Sequence, residues 1–280
     1  MLALAALLLT GGTAAAIGDP SVAALQVALR ARGAYAGTVD GVAGRATTAA
    51  VVRFQRRLGL LADGIAGPRT RAALGRPGRP SYGSRELASA DRGWDVASLQ
   101  FRLAWHGFPS GPFDGTFGPR LDSALRRFQD FAGLRVDGVA GRGTFAALRR
   151  PLPRSPLRLR LPVALPIGDG FGPRGVRFHT GIDIPAAHGT AVLAARRGVV
   201  AFAGLAGGYG RLVVVAHGRG VETYYAHLSQ VEVGVGEPVR HGEHVGLVGS
   251  SGHSSGPHLH FEVRVRGAAV DPLPALRTSR

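Results

Sequence analysis

Residues 22–74 align without a gap on residues 96–148 at a constant offset of 74, and 24 of the 53 aligned positions are identical. So close a gapless match means that one supersecondary unit is used twice, and the first half of the chain must fold as two copies of a small module. The fixed points are LQ (Leu25, Gln26; Leu99, Gln100), DG (Asp40, Gly41; Asp114, Gly115), RFQ (Arg53 to Gln55; Arg127 to Gln129), DGxAG (Asp63 to Gly67; Asp137 to Gly141) and TxAAL (Thr70 to Leu74; Thr144 to Leu148). Apolar residues fall at helical spacing in VAALQVAL and AAVVRFQRRLGL, and each DG marks a turn. The unit therefore reads helix, loop, helix, loop, short helix. Phe54 and Phe128 sit at equivalent points of the second helix and are expected in the cores, the usual place for a periodic aromatic.

A chain of 280 residues has room for two or three cores. Residues 77–90, mixing Gly, Pro, Ser and Arg, and residues 151–163, opening with alternating prolines, read as linkers around repeats at 19–76 and 91–150. Leu157–Val163 alternates Leu and Arg and is a candidate edge strand. The remainder, 164–276, carries short Val-rich runs between glycine turns: Val199–Ala203, Leu212–Ala216, Val231–Val235, Val245–Val248 and Leu259–Val265. That pattern predicts mostly antiparallel β structure, so the whole chain is expected to be α+β by segregation. Residues 1–16, MLALAALLLTGGTAAA, have the apolar core and small residues of a secretory signal with cleavage near Ala16. The positive n-region is missing, and about nine strongly apolar residues are too few for a stable membrane span.

The chemistry lies in three His-bearing segments of the last third: FHTGIDIP (178–185), YYAHLSQ (224–230) and SSGPHLHFE (254–262). Imidazole nitrogen and carboxylate oxygen suit a tetrahedral zinc shell with one position open to water. His179, Asp183 and one of His258/His260 supply three ligands. Residues i and i+2 of a strand face the same way, so both His258 and His260 can point into one pocket, and spacing alone does not choose between them. His179 and Asp183 would lie about 13 Å apart in a straight strand. The chain must bend there, and Gly181 is placed to allow it. There is no HExxH, so Glu262 is read as support for a ligand, or less readily as a general base. His106, His188, His217, His241 and His244 are read as structural or surface residues, and His253 as a loop residue at the rim of the site. Zero cysteines exclude disulfides and thiolate ligands.

From about Ile167 to Pro274 the chain resembles the lysostaphin-like zinc endopeptidases that cut the peptide part of bacterial peptidoglycan. The likeness is carried by GDGFGPR, HTGIDIPAAHGTAV, the GYG at 208–210, VVVAHGRG, TYYAHLS, VGLVGSSGHSSGPHLHFEVR and VDPLP. The resemblance implies His179, Asp183 and His260 as zinc ligands, with His227 and His258 as the unligated catalytic pair. Some members of that family place a tyrosine shortly before the first zinc histidine. Here the stretch reads GFGPRGVRF, leaving Arg174 or Arg177 as candidate substitutes. The repeats, in turn, resemble the small three-helix peptidoglycan-binding domain.

Together these readings describe a secreted or cell-wall-associated bacterial zinc endopeptidase, with a catalytically silent wall-binding regulator as the alternative. The net charge of +16, all of it from arginine since no lysine occurs, adds a long-range pull toward anionic wall polymers. No basic run is interleaved with aromatics, so nucleic acid is not an expected partner. Two modules on a linker suggest bivalent anchoring, in which case removing them should hardly change hydrolysis of a small soluble peptide. The competing expectation is that the modules cover the zinc groove as a pro-segment.

Overall fold

The computed structural model describes residues 17–75 and 82–277. The segment 1–16 read as a secretory signal lies outside the described residues. Each repeat forms three helices: α1 (Pro20–Ala31), α2 (Arg45–Arg57) and α3 (Pro68–Leu74) in the first, α4 (Trp94–Trp105), α5 (Pro119–Phe131) and α6 (Arg142–Ala147) in the second. Phe54 and Phe128 are core residues, as their periodicity predicts.

The repeated motifs explain one another. Buried Gln26 on α1 donates its amide to Asp40 Oδ1 (2.7 Å) and accepts from the Gly41 N–H (2.9 Å). The same lock recurs at Gln55 with Asp63 and Gly64 (2.8 and 2.9 Å). It recurs again at Gln100 with Asp114 and Gly115 (both 2.9 Å), and at Gln129 with Asp137 and Gly138 (both 2.9 Å). The four glycines have φ of 73°, 74°, 70° and 73°, a left-handed turn that glycine adopts without penalty. The helix-borne glutamine satisfies the polar groups that such a turn buries. LQ with DG, and RFQ with DGxAG, are therefore two ends of single interactions.

The modules pack on each other through α1 and α4: Trp94 and Ala97 join the first module's core, and Ser98 Oγ donates to Pro20 O (2.9 Å). Residues 82–90, the latter part of the expected linker, pack on the second module. Tyr82 meets Phe145 edge-on at 5.1 Å, and fully buried Leu87 bridges to Ala140.

Thirteen strands follow among the described residues: β1 (Leu159–Arg160), β2 (Gly172–Arg174), β3 (Arg177–His179), β4 (Ile182–Pro185), β5 (Ala191–Leu193), β6 (Gly198–Leu205), β7 (Arg211–Ala216), β8 (Val221–Val231), β9 (Pro238–Val239), β10 (His244–Val248), β11 (His258–Val265), β12 (Ala268–Val270) and β13 (Leu276–Arg277). The main sheet runs β12-β11-β8-β7-β6-β9, with β4 on β11, β10 on β8 and β5 on β10, all antiparallel. The parallel pair is β1 with β13, which places the Leu157–Val163 segment against the domain, with Leu157, Leu159 and Val163 in its core. One expected strand is displaced: 232–235 lies outside any strand, and the long strand ends at Val231. The Gly234 and Gly236 turn interrupts the apolar run, while β8 upstream carries Glu222, Thr223, His227, Ser229 and Gln230, whose polarity hides it.

The helical modules grip the β2–β3 hairpin. The Val39 N–H of the first module donates to Gly175 O (2.8 Å), and the Phe113 N–H of the second donates to Val176 O (2.7 Å). Trp105 at the end of α4 packs edge-on against Phe171 (6.3 Å) and Phe178 (5.3 Å). The last of these precedes His179.

Candidate metal centre

β11 sits between β4 and β8, and its alternation divides function from core. Leu259, Phe261 and Val263 point into the core with no exposure, while His258, His260 and Glu262 share the opposite face. Asp183 is the register partner of His260 across the β4–β11 ladder, which sets the two side chains side by side. His179 closes the group from the end of β3. The bend between His179 and Asp183 passes through Gly181, where a Cβ would lie 2.3 Å from Phe261 O. Close approach to β11, rather than a left-handed turn, is what demands glycine there.

Three acceptor atoms converge. His179 Nε2 is 3.0 Å from Asp183 Oδ1 and 3.0 Å from His260 Nδ1, and His260 Nδ1 is 2.8 Å from Asp183 Oδ1. Ligands at about 2.0–2.2 Å around a tetrahedral zinc lie roughly 3.3 Å apart, so this trio fits such an ion with little adjustment. The far nitrogens fix which atoms face inward. His179 Nδ1 donates to Gly170 O (2.7 Å), and His260 Nε2 donates to Glu262 Oε1 (3.1 Å). Electrostatics agree that a cation is wanted. Burial alone would raise the Asp183 carboxyl, but the His179 and His260 rings and the Arg174 guanidinium beside it hold it well below the usual carboxylate range. Burial opposes charge on His260, yet Asp183 and Glu262 lift its pKa to about 9.

Glu262 is placed to support His260. It is completely buried, and its oxygens accept from Thr180 Oγ1, Tyr209 OH (2.8 Å), His260 Nε2 (3.1 Å) and Arg264 Nε (2.8 Å). Burial would neutralise it, but these donors keep its pKa near 2. Tyr209 and Arg264 escaped the sequence reading; the GYG motif was the available signal for the first. Burial and Glu262 push the Tyr209 hydroxyl up, so it remains a donor.

His227 and His258 stand beside the trio with their rings 4.8 Å apart, His227 being 5.7 Å from the His260 ring. His227 Nδ1 donates to Ser251 O (2.8 Å) and His258 Nδ1 to Gly256 O (2.8 Å), which leaves Nε2 as the basic atom of each. His258 Nε2 lies 3.7 Å from Asp183 Oδ1. His227 adopts φ of 62°, unusual for a non-glycine residue and frequent at functional sites. A register irregularity in the β7–β8 ladder spans it, between the Arg211–Leu228 and Val213–Tyr225 pairs. Such irregularities re-aim side chains, and here the histidine turns toward the cleft.

All five predicted residues line one open cleft of about 830 Å³. Every described residue lining it comes from Gly168 onward, so among the described residues neither module covers the trio as a pro-segment would. Arg174 is engaged with Asp183 Oδ2 (2.8 Å) and Asp169 Oδ2 (3.0 Å), whereas Arg177 lines the cleft without an ion-pair partner among the described residues. His253 lies exposed at the rim. His188, His241 and His244 are exposed, and His217 is held by Arg197 O (2.9 Å) and Thr223 Oγ1 (2.8 Å). His106 is buried and donates to Leu148 O (2.9 Å). No described helix is long and apolar enough to cross a membrane.

Fold and donor set define a β-sheet domain with a His–Asp–His trio that could hold a metal ion, carried behind two three-helix modules. Residues 177–272 match the family described as "Peptidase family M23", and residues 18–74 and 92–148 each match "Putative peptidoglycan binding domain". The C-terminal domain therefore belongs to peptidase family M23, and the repeats to the peptidoglycan-binding family. The DD-carboxypeptidase/endopeptidase Mpg of Neisseria meningitidis is 53% identical over 97 residues, 35% of this chain and 22% of that protein. The murein hydrolase activator EnvC of Escherichia coli is 40% identical over 124 residues, 40% of this chain and 30% of that protein. The chain thus spans less than a third of the length of these curated relatives. Among solved structures, the catalytic domain of lysostaphin from Staphylococcus simulans is 34% identical with a TM-score of 0.37, covering 39% of this chain and 90% of that chain.

Proposed function

We propose that this chain is a zinc-dependent endopeptidase hydrolysing peptide bonds of bacterial peptidoglycan, held on the wall by its two helical modules. The observation that carries the reading is the convergence of His179 Nε2, Asp183 Oδ1 and His260 Nδ1 within 2.8–3.0 Å at the floor of an open cleft. In this reading those three hold zinc, and His227 and His258 stay unligated. Zinc bound there would supply Lewis-acid activation of water and of the scissile carbonyl. His227 or His258 takes the water's proton on Nε2 and later delivers it to the leaving amine, and the protonated ring stabilises the developing oxyanion. Burial lowers the His227 pKa, with His258 and His260 adding to the effect, which favours the neutral, accepting form. Arg174 is spent on two carboxylates and is not free for a further oxyanion contact.

The relative whose name includes DD-carboxypeptidase/endopeptidase points to bonds between D-residues as the first to test. The expected domain limits are 19–76, 91–150 and 164–276, and the wall setting implies export. Incubating the protein with isolated peptidoglycan, and reading released fragments by mass spectrometry, tests the function. Peptide-bond products should form, stop with a chelator and resume with zinc. The alternative, a silent regulator, has the activator relative in its favour and the intact trio against it. A protein that retains zinc but releases no fragments from any wall preparation would be that regulator.

A further inference from the structure

Beside the metal cleft lies a second cavity of about 260 Å³, between α5 with its preceding loop and the face formed by β3 and β11. It shares Arg177, Phe178, Thr180 and Tyr209 with the cleft, so the two form one continuous groove. Its volume equals roughly nine waters, enough for a carboxylate and the residue that bears it. Arg127 of the second module and Arg177 and Arg264 of the β domain line it, and no acidic side chain does.

The three cations are not equivalent. Arg264 is neutralised by buried Glu262 (2.8 Å) and also donates to Tyr209 OH (2.8 Å). Arg127 and Arg177 have no carboxylate within ion-pair distance among the described residues, and Arg127 Nε reaches only Ser123 O at 3.4 Å. Burial and the neighbouring Arg264 both disfavour the charge on Arg127, a tension that an anion in the cavity would relieve. Planar guanidinium groups match carboxylates in a two-pronged geometry.

We propose that the second helical module completes the substrate groove, with Arg127 and Arg177 forming a subsite for a carboxylate of the peptide whose scissile bond lies at the metal trio. This rests on the peptidase reading above. A carboxylate is favoured over the phosphate of a wall polymer because the cavity opens directly onto the peptide-bond site.

The test uses the full chain and two peptides, N-acetyl-Ala-D-Ala-D-Ala with a free C-terminus and the same peptide as its carboxamide. Kd is measured by calorimetry with the metal chelated, and kcat/KM with zinc restored. The wild-type protein should prefer the carboxylate by about tenfold or more. Arg127→Gln and Arg177→Gln should each shrink that ratio, and the double variant should bring it near one while melting normally. Equal affinity for the two peptides in the wild type, or a preference unchanged in the double variant, overturns the proposal. Inorganic phosphate competing better than the carboxylate peptide would also overturn it, reassigning the cavity to a phosphate-bearing polymer. Preserved discrimination without cutting of either peptide would sink the peptidase reading alone.

Discussion

Trp105→Ala should damage the metal site from outside it. Trp105 is 6% exposed and packs edge-on against Phe101, Phe171 and Phe178, at ring distances of 6.3, 6.3 and 5.3 Å. Truncating a buried tryptophan costs about 3–5 kcal/mol, and each aromatic contact across the junction accounts for about 0.5–1.5 kcal/mol of that. What still holds the β2–β3 hairpin to the modules is the pair of backbone hydrogen bonds at Gly175 and Val176, each worth about 0.5–1.5 kcal/mol net, together with the packing of Phe171, Val176 and Phe178 on the cluster of Val39, Phe101 and Phe113. The substitution therefore removes a large part of the grip on the hairpin that presents His179. The expected outcomes are a melting point lower by about 6–20 °C, zinc affinity weakened by about 10- to 100-fold, the range for disturbing a ligand's support, and slower cutting of a small soluble peptide. Trp105→Phe should lose far less, since the indole Nε1 is buried without a hydrogen-bond partner among the described residues. Calorimetry, chelator competition and peptide kinetics give the three readouts. If Trp105→Ala loses stability as expected but keeps full zinc affinity and peptide turnover, the hairpin holds its own geometry and the modules are tethers only.

Asp183→Ala and His260→Ala should lose bound zinc by elemental analysis together with activity; full occupancy in either would remove that residue from the ligand set. His227→Ala and His258→Ala should keep zinc and lose turnover by about 10²- to 10⁴-fold; metal loss in His258→Ala with retention in His260→Ala would exchange their roles. Acid should destabilise the second module through His106, whose pKa burial and nearby Arg102 depress to about 4 against the opposing bond to Leu148 O. Between its ordinary 6.5 and about 4 the unfolded chain binds the proton and the folded chain does not, so stability falls as pH drops through that window, by about 3 kcal/mol in all. His106→Phe should flatten that slope in urea melts, and an unchanged slope would place the acid sensitivity elsewhere.

The sequence by itself determined whatever depends on local order. The offset of 74 fixed two copies of one helical unit, the apolar periods fixed its helices, and the order of three His-bearing segments named all five residues that meet at the cleft. Strand alternation put His258 and His260 on one face but left their roles open, because chemical type and spacing are the same for both. Tertiary structure places them differently: the β4–β11 register sets Asp183 against His260, and the hairpin brings His179 to within 3.0 Å of the same nitrogen. The inward nitrogen of each ring depends on a distant carbonyl or on Glu262, and the aim of His227 follows from a backbone conformation that no residue preference announces. The modules were legible as units yet not as parts of the site. Trp105 looks like any core aromatic in sequence, and only the fold puts it against Phe178, because contacts between residues 73 positions apart are chosen by packing rather than by local pattern.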